Sequence, residues 1–594
     1  MENLAELVRD RCQKDAGKKA FLVKKNRKWE EVTWSEVDKK VDLIAGGLLN
    51  LGVKSGDRVS ILGNTMLEWT LADLGITRIG GVSVGIYQTL SAEQCKYILS
   101  DSGSGVLFIE SEQQLQKIEH HFPELPKLKT IVLWKGRVES DKVLSFEDLL
   151  SLGKQHIASE PGSIADRESK INPDNTAIIV YTSGTTGPPK GACLSHKNVL
   201  AQLNMLEKVF LEKDIGNTMM FFLPLSHVGE RVGGQYMRIS RGIAAAYVQD
   251  ITKILEDIVE IQPTFFGSVP RVFEKAYAKI QSEVANASPL KQKLFYWAEK
   301  TGTRVSRLLQ ENQTIPLGLA LQFRLADLLV LRKIRQIFGG KVRSFLSSSA
   351  PIAREIIEFF HACGMLIWEA YGQTELSCFC TLCTSRDYRF GSVGKALPGV
   401  DLKIAADGEI MVKGDIVFKE YLNQPELTKQ TLSEDGWIYT GDLGRIDEDG
   451  YLWITGRKKD IIVTSGGKNV TPSNIEQGLM NHQLIERAIV HGDRRNYLTA
   501  LISICPENVE IWGQNNGHVG LTYSAFTELE ALKKEVQGIV DRTNAKLARF
   551  ETIKKFALLP APLEVETGEL TPTMKTRRKI VEEKYEPLLN SLYQ

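Results

Sequence analysis

The first half of the chain alternates amphipathic helices with short apolar strands. Thr33-Trp-Ser-Glu36 and Ser91-Ala-Glu-Gln94 both have the pattern of a capping box, which marks the start of a helix. Apolar stretches at 58–62, 106–109 and 130–134 predict short strands between the helices. Because parallel strands need a crossover connection, this alternation predicts an α/β fold with a doubly wound, mostly parallel sheet covered by helices.

The chain is long enough for more than one hydrophobic core. At 594 residues, at least two domains are expected. From about residue 400 short strands and tight turns replace the earlier alternation, followed by a helix starting at Ser473-Asn-Ile-Glu476 and a long helix within 525–548. This texture predicts some small β-structure and then a smaller α+β domain. We place the N-terminal domain at 1–458 and a mobile C-terminal domain at 459–594.

Composition excludes several classes of protein. A formal net charge of +1 argues against nucleic acid as the main partner, and 43% hydrophobic residues are typical of a soluble globular chain. The N-terminus has no signal-peptide core, and no apolar run approaches the roughly 18 residues that span a bilayer. Eight cysteines in so long a chain do not make a disulfide framework. A cytoplasmic location is expected.

A loop rich in hydrogen-bond donors follows the apolar run at 177–180. Residues 181–191 contain four aliphatic hydroxyls, three glycines and Lys190. Glycines allow backbone N–H groups to turn inward, hydroxyls donate hydrogen bonds and the lysine adds positive charge, so the loop predicts a polyphosphate site. It is not a Walker loop, because Pro189 precedes the lysine and neither serine nor threonine follows it. A plain surface turn would not need this density of donors.

Four further clusters fit a nucleotide site. Residues 347–351 form a donor-rich turn, and residues 371–375 combine an aromatic ring, a tight turn, a hydroxyl and a carboxylate. An aromatic ring can stack on a purine, and a carboxylate can hold the Mg²⁺ that neutralises phosphate charge. An acidic residue after a glycine at 439–442 suits a ribose diol, and a basic turn lies at 455–460. Each cluster is weak alone, but their order and company point to ATP.

Together these motifs resemble the adenylate-forming superfamily, which includes acyl-CoA synthetases, firefly luciferase and the adenylation domains of peptide synthetases. The resemblance covers nearly the whole chain, and residues 221–231 and 269–274 look most like the long-chain fatty acyl-CoA synthetase branch. It implies a medium- or long-chain fatty acid as substrate, ATP and coenzyme A as co-substrates, and Mg²⁺. The implied reaction forms acyl-AMP and pyrophosphate and then an acyl-CoA thioester.

The resemblance also implies a role for each motif residue. Thr374 and Glu375 would act in catalysis, with Glu375 as the Mg²⁺ ligand. Lys575 would be the catalytic lysine, although Met574 stands where the family has glycine and Lys579 is the alternative. Lys459 would be the hinge, and the acyl pocket would include His227, Gly267, Val269 and Pro270. The nucleotide would be bound by Thr182, Ser183, Gly184, Thr185, Thr186, Gly187, Lys190, Ser349, Ala350, Pro351, Tyr371, Gly372, Gln373, Asp442 and Arg457, and coenzyme A by Ser465, Gly466 and Gly467.

Several alternatives stay open at this point. The acyl acceptor could be an acyl carrier protein, and a lipid-binding scaffold with a dead site is a rival of another class. His227 follows an apolar run, which also suits a buried, hydrogen-bonded histidine. The basic stretch at 281–345, with aromatic residues at 295–297, fits either peripheral contact with an anionic membrane or a solvated helical face whose aromatics pack inward. The oligomeric state is left open, a homodimer included.

A cysteine cluster has two interpretations. Cys378, Cys380 and Cys383 have the spacing of half a metal site, with His361 and Cys363 upstream. No second ligand pair follows at zinc-finger spacing. Buried free thiols are therefore the prediction.

Overall fold

The computed structural model describes residues 1–182, 188–571 and 574–594. Within these residues the strands form six sheets. The largest has eight described strands, and in spatial order these are Glu420–Tyr421, Lys190–Ser195, Thr176–Thr182, Val82–Ile86, Arg58–Leu62, Val106–Ile109, Thr130–Leu133 and Val143–Ser145. From Thr176–Thr182 onward the neighbours are parallel, while the first two strands are added antiparallel. The prediction of an α/β fold with a mostly parallel, doubly wound sheet is confirmed.

Two further sheets complete the parallel core. One contains Phe265–Ser268, Ser344–Ser347 and Ile367–Tyr371 in parallel, followed by the antiparallel strands Thr381–Leu382 and Lys395–Ala396. The other contains Thr218–Phe221, Ala244–Tyr247, Lys19–Lys25 and Lys28–Thr33 in spatial order. In open α/β sheets, ligands bind where the parallel strands end. Thr182, Ser268, Ser347 and Tyr371 are all last residues of such strands.

The remaining sheets are smaller. Asp401–Ile404, Glu409–Lys413, Ile438–Ile446 and Leu452–Arg457 form an antiparallel sheet. Ile462–Val463 pairs with Asn469–Val470. Ile485–His491, Leu498–Ile504 and Ile553–Leu558 form a mixed sheet. This region has the predicted small β-structure followed by α+β texture.

The helices cover these sheets. Their bounds are Leu4–Lys14, Trp34–Asn50, Leu67–Arg78, Ala92–Ser102, Glu112–Glu119, Phe146–Ser159, Ser163–Ser169, His196–Val209, Glu212–Ile215, Val228–Glu230, Met237–Arg241, Ile254–Ile261, Pro270–Ala285, Pro289–Gln310, Leu317–Ala326, Arg332–Gln336, Arg354–Ala362, Pro425–Thr431, Pro472–Met480, Pro506–Asn515, Tyr523–Glu528, Glu530–Asn544, Arg578–Lys584 and Glu586–Ser591. Short π-helical turns at Arg231–Tyr236 and Asp327–Leu331 join the helices on either side of them. No described helix is long and apolar enough to span a bilayer.

The helix starts that the sequence predicts from local signals can be compared with the structure. Both predicted capping boxes are present, at Thr33 with Glu36 and at Ser91 with Gln94. The helix predicted to start at Ser473 is present and begins one residue earlier, at Pro472, with Thr471 as its N-cap. The Glu476 side chain accepts a hydrogen bond from the Val490 backbone N–H at 2.7 Å.

The long helix predicted within 525–548 is present as Glu530–Asn544, and a shorter helix precedes it. The chain bends at Leu529, whose extended backbone (φ −66°, ψ 121°) separates Tyr523–Glu528 from Glu530–Asn544. Buried residues of this second region, from Ile462 to Leu589, form clusters of their own, separate from the clusters of the first 452 residues. That packing is compatible with two domains, and the boundary after residue 458 stays a prediction.

Candidate active site

The donor-rich loop joins two antiparallel strands of the large sheet. Thr182 and Lys190 are paired opposite each other at its two ends. Ser183, Gly184, Thr185, Thr186 and Gly187, which the sequence predicts to bind phosphate, lie outside the described residues. Tyr181 anchors the strand before the loop, because its ring is buried and its hydroxyl donates a hydrogen bond to Asp101 Oδ2 at 2.6 Å. Lys190 is the first residue of the strand that follows the loop.

The segment after Tyr371 is fixed by a glycine and a short 3₁₀ turn. A Cβ on Gly372 would lie 1.8 Å from the carbonyl oxygen of Cys378, so only glycine fits there. The turn Thr374–Leu376 buries both Thr374 and Glu375. The Glu375 carbonyl also accepts a hydrogen bond from the Phe418 N–H at 2.9 Å. The hydroxyl and the carboxylate predicted to act in catalysis are thus held on one rigid turn.

Tyr421, which sequence reasoning missed, links Glu375 to Lys190. Its hydroxyl donates a hydrogen bond to Glu375 Oε1 at 2.5 Å, and Lys190 Nζ lies 5.6 Å from the centre of its ring. The pKa of Lys190 is lowered by burial first and by Lys459 second, while Glu375 raises it. These effects place the predicted phosphate lysine, the predicted metal ligand and the predicted hinge lysine in one electrostatic environment. Tyr421 lies on a two-residue edge strand with no motif around it, so no local signal marks it.

A second cluster joins the end of the parallel sheet to the antiparallel sheet. Tyr371 Oη donates a hydrogen bond to Asp442 Oδ2 at 2.7 Å, and Arg457 Nε lies 3.2 Å from Asp442 Oδ1. Asp442 and Arg457 face each other across neighbouring strands. Asp442 is buried whereas the Arg457 side chain is 49% exposed, so the guanidinium remains open to a ligand. The predicted ribose residues Asp442 and Arg457 are thus brought together with Tyr371, one of the residues predicted to contact adenine.

Lys575 reaches this cluster from the C-terminal region. Its loop is closed by hydrogen bonds from Thr571 N–H to the Lys575 carbonyl at 2.8 Å and from Lys575 N–H to Thr571 Oγ1 at 3.0 Å. The pKa of the Lys575 ammonium is lowered to about 8, chiefly by burial and then by Arg457, against the raising effects of Asp442 and Glu375. The lysine therefore lies within the electrostatic field of both clusters.

The structure distinguishes Lys575 from Lys579 and explains the residue before it. Lys579 is exposed on a helix and pairs with Glu583 at 3.8 Å. Met574 has a left-handed backbone (φ 61°), a conformation that glycine adopts without strain. This backbone conformation explains why the family that the chain resembles has glycine at the position of Met574.

His227 is hydrogen-bonded, as one of its two interpretations predicts, and its place in the acyl pocket stays a prediction. Its Nδ1 accepts a hydrogen bond from the Gly229 N–H at 3.1 Å and caps the helix that follows, so a neutral ring carries its proton on Nε2. Burial first, and Lys575 second, lower the pKa of His227 to about 4. The imidazole is hydrogen-bonded and neutral, and it also lies near Lys575.

The other predicted pocket residues lie at one strand end. Gly267 lies on the strand Phe265–Ser268, Val269 is the N-cap of the next helix and Pro270 is its first residue. A Cβ on Gly267 would approach no atom closer than 3.6 Å. A small side chain would therefore fit at Gly267 without a clash.

Three buried polar atoms at these strand ends have no hydrogen-bond partner among the described residues. They are Ser268 Oγ, Ser347 Oγ and Gln373 Nε2. Ser268 and Ser347 are paired across neighbouring parallel strands. Buried polar groups are normally hydrogen-bonded, so these three atoms are available to a polar ligand or to water.

The turn after Ser347 lies at the same strand end but is more open. Ser349 has a left-handed backbone (φ 73°) and is partly buried, while Ala350 and Pro351 are exposed. A non-glycine residue in this conformation is strained and is often found at a functional site. The predicted adenine-bordering turn is therefore close to Ser347 and accessible.

The glycine turn predicted to bind coenzyme A is not part of the two clusters around Glu375 and Asp442. Ser465, Gly466 and Gly467 are exposed, and Ser465 bonds to Arg495 and Asn496 of the same C-terminal region. The described contacts do not bring this turn to Glu375 or Asp442. Lys459 lies in the short 3₁₀ turn Lys458–Asp460, and its neighbour Lys458 binds Asp407 and Glu409 at 2.6 and 2.8 Å.

The cysteine cluster is part of the core. Cys378, Cys380 and Cys383 are buried and free, as predicted, and so is Cys363. Burial raises the pKa of Cys383 to about 12. Among the described residues no group of three or more histidine, cysteine or acidic side chains could hold a metal ion.

Comparison with known proteins places this arrangement in a family. The family model described as AMP-binding enzyme matches residues 8–422, and the model of the AMP-binding enzyme C-terminal domain matches residues 459–594. The long-chain-fatty-acid–CoA ligase FadD15 of Mycobacterium tuberculosis is 36% identical over 571 residues, which is 95% of this chain and 92% of the relative. The long-chain-fatty-acid–CoA ligase ACSBG1 of Homo sapiens is 32% identical, covering 97% of this chain and 83% of its own.

Solved structures share the fold. The anthranilate CoA ligase AuaEII in complex with anthranoyl-AMP superposes with a TM-score of 0.74 at 21% identity, covering 99% of this chain and 98% of its own. The adenylation domain of a carboxylate reductase from Mycobacterium chelonae gives 0.75 at 22% identity, covering 100% and 91%. The fold is therefore the α/β fold of adenylating enzymes. The chain belongs to the AMP-binding enzyme family.

Proposed function

We propose that this chain is an AMP-forming fatty acyl-CoA synthetase. It activates a medium- or long-chain fatty acid with ATP to acyl-AMP and pyrophosphate, and then transfers the acyl group to coenzyme A. The two hydrogen-bonded clusters at the ends of the parallel strands, Tyr421 with Glu375 and Tyr371 with Asp442 and Arg457, carry the proposal. Relatives named long-chain-fatty-acid–CoA ligases, at 30–36% identity over nearly the whole chain, support the substrate class.

The proposed nucleotide site has three parts. Thr182, Lys190 and the loop between them would hold the β- and γ-phosphates, and Thr374 would contact the α-phosphate. Asp442 and Arg457 would bind the ribose. The adenine would lie among Ser349, Ala350, Pro351, Tyr371, Gly372 and Gln373. The unpartnered Gln373 Nε2 and Ser347 Oγ supply the kind of polar atoms that such a ligand would satisfy.

Glu375 fits a magnesium ion by its donor type. Its Oε1 accepts the Tyr421 hydroxyl, and among the described residues no hydrogen bond reaches the other carboxylate oxygen. Carboxylate oxygen is a ligand that Mg²⁺ prefers, usually from one or two protein groups with waters and phosphates completing the shell. A bound Mg²⁺ would neutralise phosphate charge.

The side chains address the main difficulty of the first step. A fatty acid carboxylate and ATP are both anionic, so attack on the α-phosphate needs charge neutralisation and alignment more than covalent help. A partly desolvated ammonium such as that of Lys575 interacts strongly with developing negative charge. Lys190, above the Tyr421 ring, would hold the departing pyrophosphate. His227, with Gly267, Val269 and Pro270, would border the acyl group.

The second step would need a different face of the C-terminal region. We infer a rotation about Lys459 that withdraws Lys575 and brings Ser465, Gly466 and Gly467 to the pantetheine arm. A Cβ on Gly467 would meet nothing within 4 Å, and its left-handed backbone (φ 71°) favours glycine for the turn itself. The position of Lys575 near Asp442 in this structure would suit the first step, the formation of acyl-AMP.

A pyrophosphate-release assay with fatty acids of graded length, with and without coenzyme A, tests this function. Acid-dependent release of pyrophosphate and a thioester product with free coenzyme A are expected. A thioester formed only with an acyl carrier protein would support the alternative acceptor. Absence of acid-dependent pyrophosphate release over the whole series would leave a non-catalytic lipid-binding protein as the better explanation. A cytoplasmic location and the oligomeric state stay predictions.

The pH profile of the first step should report Lys575. A lysine whose pKa is lowered from 10.5 to about 8 is charged below that pH and loses its charge above it. We expect kcat/KM for acyl-AMP formation to fall as pH rises through about 8, because kcat/KM reports groups of the free enzyme. In Lys575→Arg the alkaline limb should disappear, since arginine stays protonated. The same limb in both proteins would assign the titration to another group.

A further inference from the structure

One helix is apolar on two opposite sides. The helical stretch 317–336 buries Leu319, Ala326 and Leu331 on its inner side. Its outer side exposes a row of leucines that we call the leucine surface: Leu317 (86%), Leu321 (66%), Leu325 (50%), Leu328 (63%) and Leu329 (39%). Monomeric soluble proteins rarely leave a contiguous apolar patch uncovered unless it binds something.

Cations flank the leucine surface. Arg324, Arg332 and Lys333 are exposed on the same helix. Asp327, the acidic residue within the stretch, is engaged by Arg335 at 2.6 Å. The helix Pro289–Gln310 packs against it and adds exposed Lys293, Lys300, Arg304 and Arg307. The helical stretch 317–336 is therefore apolar along its exposed leucines and carries exposed cations among and after them.

The aromatic residues of this region do not form the leucine surface. Phe295 is buried and Trp297 packs against the aromatic core, which leaves only Tyr296 of the three well exposed, at 53%. The sequence offered the aromatics as a membrane contact, but the structure buries two of the three and exposes the leucines. The interpretation in which the aromatics pack inward is correct for Phe295 and Trp297.

A basic cavity lies at the end of the same helix. It has a volume of about 390 Å³ and is lined by Arg332, Arg335, Lys341, Gln262, Gln336, Gly339 and Gly340. Three of these residues are cations and none is acidic. Gly339 and Gly340 have left-handed backbones, which lets the main chain form part of the wall. Arg332 belongs to both the cavity and the flank of the leucine surface.

We propose that the leucine surface inserts into the headgroup region of an anionic membrane and that the basic cavity holds the headgroup of an anionic phospholipid. An amphipathic helix with leucines on one side and cations beside them has the composition of an interfacial helix. A second copy of the chain fits less well, because a two-fold contact would set Arg324, Arg332 and Lys333 against the same cations. The proposal does not depend on the catalytic assignment.

Co-sedimentation with vesicles of phosphatidylcholine, with and without phosphatidylglycerol, tests this surface. The unaltered chain should bind the mixed vesicles at low salt, and binding should fall at high salt and on pure phosphatidylcholine. Leu321→Ser and Leu328→Ser should each weaken binding about tenfold or more, because a leucine loses its apolar contact. Arg324→Glu and Lys333→Glu should each weaken it by about fivefold or more. Lys341→Ala should reduce the preference for phosphatidylglycerol.

Matched controls come from the C-terminal region. Val519 is 72% exposed and Lys546 is exposed, so Val519→Ser and Lys546→Glu remove comparable groups away from the surface and should leave binding unchanged. Acid-dependent pyrophosphate release without vesicles should be the same in Leu321→Ser and the unaltered chain. Equal vesicle binding by all variants, or equal binding to both vesicle types, would overturn the proposal. So would a dimer in solution that Leu321→Ser converts to monomer.

Discussion

Lys575→Ala is expected to lower the rate of acyl-AMP formation by about 10²–10³-fold, the usual cost of removing one preorganised group that meets developing charge. The expected loss follows from the surroundings of Lys575. Its ammonium interacts electrostatically with Arg457, Asp442 and Glu375. Single-turnover formation of acyl-AMP from ATP and fatty acid measures this step. Thioester formation from acyl-AMP supplied directly should be much less affected.

Lys579→Ala is the matched control. Lys579 is exposed and pairs with Glu583 one helical turn away, an interaction of little energetic weight. Its loss should leave acyl-AMP formation unchanged. Normal acyl-AMP formation in Lys575→Ala, or a large loss in Lys579→Ala, would show that the assignment of the catalytic lysine is wrong. Unchanged thermal unfolding in both variants would separate chemistry from stability.

Local sequence patterns were enough to predict the fold class. A capping box depends on residues three apart, so Thr33 with Glu36 and Ser91 with Gln94 could be recognised without tertiary information. The alternation of short apolar strands with helices is also a local pattern, and it predicted the parallel sheet. The helix start at Ser473 was predicted to within one residue, whereas the hydrogen bond from the distant Val490 N–H to Glu476 has no local signal.

The parts of the site that depend on contacts between distant segments could not be predicted from the sequence. Tyr421 connects Glu375 with Lys190 from an edge strand that has no motif of its own. The left-handed backbone of Met574 is a property of the closed loop around Lys575, and a methionine gives no hint of it. The exposed leucines beside Arg324 could not be separated from buried ones by periodicity, because the helix is apolar on both sides.

A buried polar network supports the helix that begins after His227. The Arg231 side chain donates to Asp73, and neither residue's side chain is exposed. Gln235 Nε2 and Tyr236 Oη also donate to Asp73 Oδ2, at 2.6 and 2.8 Å. The Arg231 backbone N–H donates to the His227 carbonyl at 2.9 Å. One carboxylate thus ties three residues of this helix to the helix Leu67–Arg78.

Asp73→Ala should therefore destabilise the protein by about 3–5 kcal/mol, the usual cost of leaving one member of a buried ion pair without its partner. The shift of the urea unfolding midpoint of the large N-terminal part measures this effect. Asp73→Leu combined with Arg231→Met should recover much of the loss, because an apolar pair removes the stranded charge. Glu358→Ala, which breaks the exposed Arg354–Glu358 pair at 2.7 Å, is the control and should cost about 1 kcal/mol or less. Equal shifts in Asp73→Ala and Glu358→Ala would mean that burial of the Arg231–Asp73 pair does not set its energetic weight.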